Sequence, residues 1–162
     1  MKAKAQFLGL MVWLALSFLV AVVGALASVE AGEFYAQLNQ PSWAPPAWVF
    51  GPVWSTLYVL MAIAAWRVWK KEGFWSARII LIIYVLQLIV NAFWSWLFFV
   101  GHDGWLALVD VVLLWVLVLA VLIGFWRRDR LAGLLILPYF AWVSFATVLT
   151  YTMWRLNPAI LG

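Results

Sequence analysis

Five long apolar runs, at about 6–28, 47–69, 78–100, 104–126 and 131–155, dominate this chain, and each is near the ~20 residues that cross a bilayer as a helix. The joints between them are polar or rich in helix breakers: "EAGEFYAQLNQPSWAPP", "KKEGFWSAR", "GHDG" and "RRDR". The last three are so short that neighbouring spans must run antiparallel. With 69% of the 162 residues hydrophobic and 10% charged, the chain holds more apolar side chains than a soluble core of this size can bury. The expected fold is an all-α integral membrane protein. It is a five-transmembrane-helix bundle of one domain, 1–162, with a Trp/Pro-rich loop between the first and second spans. The absence of cysteine excludes disulfides, thiolate metal sites and cysteine nucleophiles, and the single histidine, His102, rules out multi-histidine metal or haem ligation.

Five spans put the termini on opposite sides. Lys2, Lys4, Arg67, Lys70, Lys71, Arg78, Arg127, Arg128 and Arg130 then share one face, and Arg155 alone lies on the other. That asymmetry follows the positive-inside rule and accounts for the +4 charge, so no nucleic-acid partner is expected. In a bacterial inner membrane, the expected location, the N-terminus and loops 2 and 4 are cytoplasmic. The first run, with Lys2 and Lys4 ahead of it and "ALA" at 25–27, has some features of a secretory signal. Its length and the series Ser17, Ala21, Gly24, Ala25 and Ser28 favour a retained helix, because small residues at this spacing let membrane helices approach closely. A homodimer is expected, from this stripe together with a broad aromatic surface on the third span.

The segment "QPSWAPPAWVFGPVW", residues 40–54, is the most constrained part of the chain. Pro45 and Pro46 suit the first turn of the second helix, where missing donors are harmless. Pro52 is expected inside that helix, loosening it beside Gly51. Trp43 and Trp48 fall at the membrane interface, where amphipathic rings are favoured. Composition alone favours an interfacial anchor; the alternative is a stiff aromatic lid.

In the third span Gln87, Asn91 and Ser95 share one helical face, with Trp94 and Phe98 beside it. Amides in a membrane need partners, so this face looks inward, either as interhelical glue or as the polar part of a site. In the fifth span Pro138, Trp142, Ala146 and Leu149 or Thr150 form another stripe, in which a small alanine beside a flat indole leaves space for helix packing or for a ligand. Trp54, Asn91 and Ala146 lie at similar depths, roughly 12–15 Å below the loop-1 surface at about 1.5 Å per residue. Indoles and one amide converging at that depth describe a mostly apolar pocket for a large, flat ligand. Asp110, in the same half of the membrane, needs a partner. Arg155 lies on the same side and could reach down to it; Asp110 either makes a structural ion pair or hydrogen bond or coordinates substrate. "LTYTMWR", 149–155, fits a weak sterol pattern through Leu149, Tyr151 and Arg155, although Tyr151 and Arg155 also suit interfacial anchoring.

The blocks "YAQLNQPSWAPPAWVFGPVWSTLYVLM" (35–61), "QLIVNAFWSWLFF" (87–99), "GWLALVD" (104–110) and "LPYFAWVSFATVLTYTMWRLNP" (137–158) resemble the signature of the TSPO/MBR family, the tryptophan-rich sensory and translocator proteins. The resemblance spans nearly the whole chain. It implies a membrane protein that binds protoporphyrin IX or haem-type tetrapyrroles, and translocator-protein drug ligands, in a cavity closed by loop 1. It also implies a role as sensor or translocator in porphyrin metabolism or stress response, and it supports the homodimer. The family's pocket positions fall on Trp54, Asn91, Trp105, Trp142 and Ala146, and its loop aromatics on Trp43 and Trp48. Trp54 and Trp142 match tryptophans implicated in light-dependent porphyrin breakdown. Three functions therefore stand side by side: tetrapyrrole binding with no resident cofactor required, light- and oxygen-dependent porphyrin degradation, and a membrane scaffold with an incidental pocket. No acid–base pair or nucleophile supports ordinary catalysis.

Because the chain lacks cysteine, single cysteines report topology cleanly. Ser76→Cys is expected to react with an impermeant maleimide only from the basic side, and Ser42→Cys only from the other. Labelling of both from the same side would overturn the five-span arrangement.

Overall fold

A computed structural model describes residues 3–162, so Lys2, counted above with the basic face, lies outside the described residues. The order is α1 (Ala3–Ala27), α2 (Ala31–Gln37), a 3-10 turn (Ala47–Val49), α3 (Phe50–Glu72), α4 (Phe74–Ser95), α5 (Gly104–Arg128), α6 (Arg130–Leu156) and α7 (Pro158–Leu161). No strand occurs among the described residues. Five helical segments are long and apolar enough to cross a membrane: Ala3–Ala27, Ala47–Glu72, Phe74–Val100, Gly104–Arg128 and Arg130–Leu156. The protein is a multi-pass membrane bundle. Around it α1 packs on α3 and α4, α3 on α6, α6 on α5, and α5 on α4, which closes a ring.

Two joints are shorter than the sequence suggests. The second loop shrinks to Gly73, whose φ of 77° and ψ of 166° reverse the chain in a conformation that favours glycine. Lys70 and Lys71 in the last turn of α3 complement its exposed carbonyls, so the helix runs on through residues that composition reads as loop. Asp129 alone separates α5 from α6. Its N–H closes α5 on the Phe125 carbonyl at 2.7 Å, and its carboxylate accepts from the Ala132 N–H at 3.0 Å to open α6.

The start of α3 also differs from expectation. The 3-10 turn at Ala47–Val49 delays the α-helix until Phe50, so Pro52 lies in its first turn, where its missing donor leaves no bond unmade. The expected loosening by Pro52 is therefore replaced by a regular helix start, and Pro46 caps the 3-10 turn instead. At the far end of α4 the helix widens into a π-helical stretch, Trp96–Val100, closed by the Gly101 N–H on the Trp96 carbonyl at 2.8 Å.

The bundle is packed solid in its basic half. Met61, Ala64, Ala65 and Val68 of α3 meet Leu81, Tyr84 and Leu88 of α4, with Phe125 of α5 and Ile136 of α6. Alanines let α3 approach its neighbours closely, as is usual between membrane helices. The small-residue stripe of α1 is used inside the single chain: Ser17 is fully buried and bonded to the Tyr84 hydroxyl at 2.8 Å, and Gly24 faces Ala92 and Ser95 of α4. Ser17 and Gly24 of the stripe are thus turned inward against α4, whereas Ala21 and Ser28 are half-buried and Ala25 is exposed.

An ionic clasp closes the basic end. Arg67 of α3 pairs with Asp129 at 2.9 Å, and Arg128 of α5 with Glu72 at 3.1 Å. Burial alone would raise the Asp129 carboxyl, but the Ala132 N–H and the Arg67 guanidinium outweigh it and hold the group below the usual carboxylate range. A depressed native pKa stabilises the fold above the unfolded value of about 3.9, and that stabilisation is lost as pH falls through the native value. Asp129→Ala is expected to cost about 1–2 kcal/mol, the usual range for losing an N-cap. Asp129→Asn keeps the cap and is expected to cost less. Thermal melts in detergent check this: the alanine deficit should shrink at low pH, and identical melts for wild type and Asp129→Ala would contradict it.

Candidate functional site

Above the packed half lies a cavity of about 500 Å³. Trp54 of α3 stands edge-on to Tyr139 at 6.1 Å and tilted against Tyr58 at 5.9 Å. On α6, Trp142 and Ala146 are one turn apart, and both line the space. Trp142 is held between Phe50 at 5.9 Å and Phe145 at 5.5 Å. Trp94 of α4 stacks on Phe98 at 5.1 Å with their planes 12° apart, forming another flat wall. Aromatic faces thus surround the cavity, fixed by edge and offset contacts that favour ordered ring geometry.

Asn91 reaches the cavity from α4, but its amide is engaged. Its Nδ2 donates to the Tyr139 hydroxyl at 3.0 Å, and that hydroxyl donates to Gln87 Oε1 at 2.7 Å. The amide stripe of α4 is therefore interhelical glue to α6 along Gln87 and Asn91, and its upper member, Ser95, lines the cavity. Among the described residues, two buried side-chain polar atoms have no hydrogen-bond partner: the Trp94 indole nitrogen and Asp110 Oδ2. The Asp110–Arg155 pair expected from sequence does not form, because the Arg155 guanidinium lies over the Trp154 ring, 5.8 Å from its centroid.

The cover is built from loop 1. α2 turns Phe34 and Tyr35 into the bundle, where both are buried with Leu38. The Tyr35 hydroxyl donates to the Pro45 carbonyl at 2.9 Å, and Gln40 Nε2 donates to the Tyr35 carbonyl at 2.6 Å. Burial raises the Tyr35 phenol above its ordinary value, which keeps it a donor. The Asn39 N–H donates to Asn157 Oδ1 at 2.7 Å, and Asn157 Nδ2 returns a bond to the Asn39 carbonyl at 3.0 Å, tying the loop to the end of α6. Phe34 also stacks on His102 at 4.3 Å, and the two rings lie within 6° of parallel.

Of the residues named from sequence, Trp54, Asn91, Trp142, Ala146 and Leu149 line the cavity. Trp43 lies outside it, edge-on to Phe145 at 5.8 Å, and Trp48 is 75% exposed. Trp105 is on the outer surface against Trp154 at 5.6 Å, and Tyr151 touches the same ring at 6.4 Å. Leu149, Tyr151 and Arg155 therefore do not share one surface. The sequence reading omitted Tyr35, Phe50 and Tyr58 as lining residues. Trp94 and Phe98 were visible as neighbours of the amide stripe, whereas the loop-1 aromatics carry no periodic signal.

Residues 10–155 match the model of the TspO/MBR family. The chain is 39% identical over 132 residues to the Tryptophan-rich protein TspO of Chlorobaculum tepidum, covering 79% of this chain and 82% of that one. It is 40% identical over 137 residues to the Tryptophan-rich sensory protein of Cereibacter sphaeroides, covering 85% and 84%. It is also 40% identical over 131 residues to the Translocator protein of Homo sapiens, covering 79% and 77%. The indoles and the loop-1 cover fall within the matched stretch, and with five apolar spans and identities at this level the chain belongs to the TspO/MBR family.

Proposed function

We propose that the protein is a membrane tetrapyrrole-binding protein, taking a porphyrin or haem-type ligand, and that it acts as a sensor or translocator in porphyrin metabolism or stress response. The observation that carries the reading is the cavity itself: about 500 Å³, walled by Trp54, Trp94 and Trp142 with few polar groups, beneath a tied cover. That volume lies within the range of about 300–1,000 Å³ usual for small-molecule sites. Flat indoles offer stacking faces to a planar macrocycle. The names of the relatives, a sensory protein and a translocator protein, support the role. The same cavity suits planar drug ligands. The reading places the protein in an inner membrane with its basic end cytoplasmic, and includes a homodimer.

A second reading, light- and oxygen-dependent porphyrin breakdown, draws on Trp54 and Trp142 both lining the cavity. Anaerobic and dark controls separate it from binding alone, since only degradation needs light and oxygen.

Ala146→Phe tests the site. A ring added beside Trp142 intrudes on the ligand volume and is expected to weaken protoporphyrin binding by about 1–3 kcal/mol, the usual effect of overpacking a fitted space. That is roughly a 5- to 150-fold loss. Val148→Phe, at a position 55% exposed on the outer face, should leave affinity within about a factor of two. Fluorescence-quenching titrations, with thermal melts to show both variants folded, make the measurement. Unchanged affinity in folded Ala146→Phe would place the ligand elsewhere.

A further inference from the structure

The cavity wall is incomplete on one side. At the basic end α1 is held to α3: the Trp66 indole donates to the Gln6 carbonyl at 2.8 Å, and Gly9 lies directly against the Trp69 ring. At the opposite end α1 follows α4 instead. There the Trp96 indole donates to the Val23 carbonyl at 3.1 Å, and a Cβ on Gly24 would meet Ala92 and Ser95. The last ring contact between α1 and α3 is Phe18 on Tyr58, at 6.3 Å. Beyond it, among the described residues, no hydrogen bond or ring contact joins the two helices. The residues that line the cavity there, Val22 and Ala25 of α1 with Gly51 and Ser55 of α3, are exposed. A Cβ placed on Gly51 meets nothing within 4 Å.

We propose that the ligand enters and leaves sideways, from the apolar interior of the membrane, through this gap between α1 and α3, and that the loop-1 cover stays closed while it does so. This rests on the reading of the cavity as a site for a flat, apolar tetrapyrrole. Three features of the structure support it. Beyond the Phe18–Tyr58 contact, α1 is bonded and packed on the α4 side rather than on α3. Its two edges carry small side chains, leaving a slot suited to a planar molecule. The cover, by contrast, is fastened at several points, through Tyr35 to Pro45, Asn39 to Asn157 and Phe34 to His102. Ser55 lies about 12 Å along its span from residue 47, at roughly 1.5 Å per residue, so the slot opens at a depth where lipid chains rather than water surround the bundle. A tetrapyrrole partitions into that region, and entry there avoids breaking the bonds of the cover.

The test uses the full chain in lipid nanodiscs. Gly51→Trp, at a position where a Cβ meets nothing within 4 Å, is expected to plug the slot. It is expected to slow both association and dissociation of protoporphyrin, followed by tryptophan quenching in the dark, at least tenfold. A side chain that only crowded the site would slow association but speed dissociation, and that result would count against the slot. Ser55→Leu, a smaller plug, should act in the same direction, and thermal melts show that both are folded. Tethering the cover by an Asn39→Cys/Asn157→Cys disulfide should leave the rates within twofold. Slow exchange in the tethered protein, with normal rates in folded Gly51→Trp and Ser55→Leu, would overturn the proposal. A second readout needs no tetrapyrrole: Ser55→Cys should react with a bilayer-dissolved pyrene maleimide and not with a sulfonated, water-confined one. Reaction with the water-confined reagent alone would also overturn it. If wild type bound no protoporphyrin, the ligand reading would fall, while the labelling would still decide whether the slot opens to lipid.

Discussion

A polypeptide in lipid finds no water for its backbone or its amides, and this constraint organises the molecule. Each span is therefore a helix, and its buried polar side chains must find one another. Gln87 and Asn91 do so through one phenol, with Tyr139 bonded to both, which locks α4 to α6 across the bundle. Ser17 and Tyr84 do the same between α1 and α4. These bonds sit in the tightly packed part of the protein, and they hold the walls above which the cavity opens. The helices run almost to the limit of the chain, leaving only Gly73 and Asp129 to turn it at the basic end.

Why the space stays open follows from the same physics. Lipid chains are as apolar as leucine, so there is little hydrophobic force to collapse one helix onto another, and contact depends on fitted side chains. Below Tyr58 and Tyr139 the fit is close. Above them, large indoles at Trp54, Trp94 and Trp142 alternate with small residues such as Ala146 and Gly51, and rings held by Phe98, or by Phe50 and Phe145, cannot swing in to fill the gap. The cover is fastened at its edges by Tyr35 and Asn157, which closes the end of the bundle and leaves the α1–α3 side open.

Much of this was legible in the sequence. Five apolar runs gave the spans to within a few residues, since span length and hydropathy are local properties. The amide stripe and the Trp142–Ala146 pair were also readable, because helical periodicity places such residues on one face. What was hidden depends on long-range packing. The inward turn of the α1 stripe is set by Tyr84, Ala92 and Ser95 of α4, none of them near it in sequence. Trp105 and Arg155 lie at helix ends on the cavity side of the bundle, yet rotation about their helices turns both onto Trp154 at the outer surface. Depth along a span is simple arithmetic, but the direction a side chain takes at a helix end is set by its neighbours. Pro52 shows a different limit: one 3-10 turn moved the helix start and changed the meaning of the proline.

The aromatic walls and the tied cover are proposed to form one site per chain for a planar tetrapyrrole. The most direct measurement is a dark titration of the purified protein in nanodiscs with protoporphyrin, read by tryptophan quenching against empty nanodiscs. The account predicts saturable quenching at low micromolar ligand, with one tetrapyrrole per chain. Quenching that rises without saturation, in step with porphyrin dissolved in the lipid of empty discs, would contradict it.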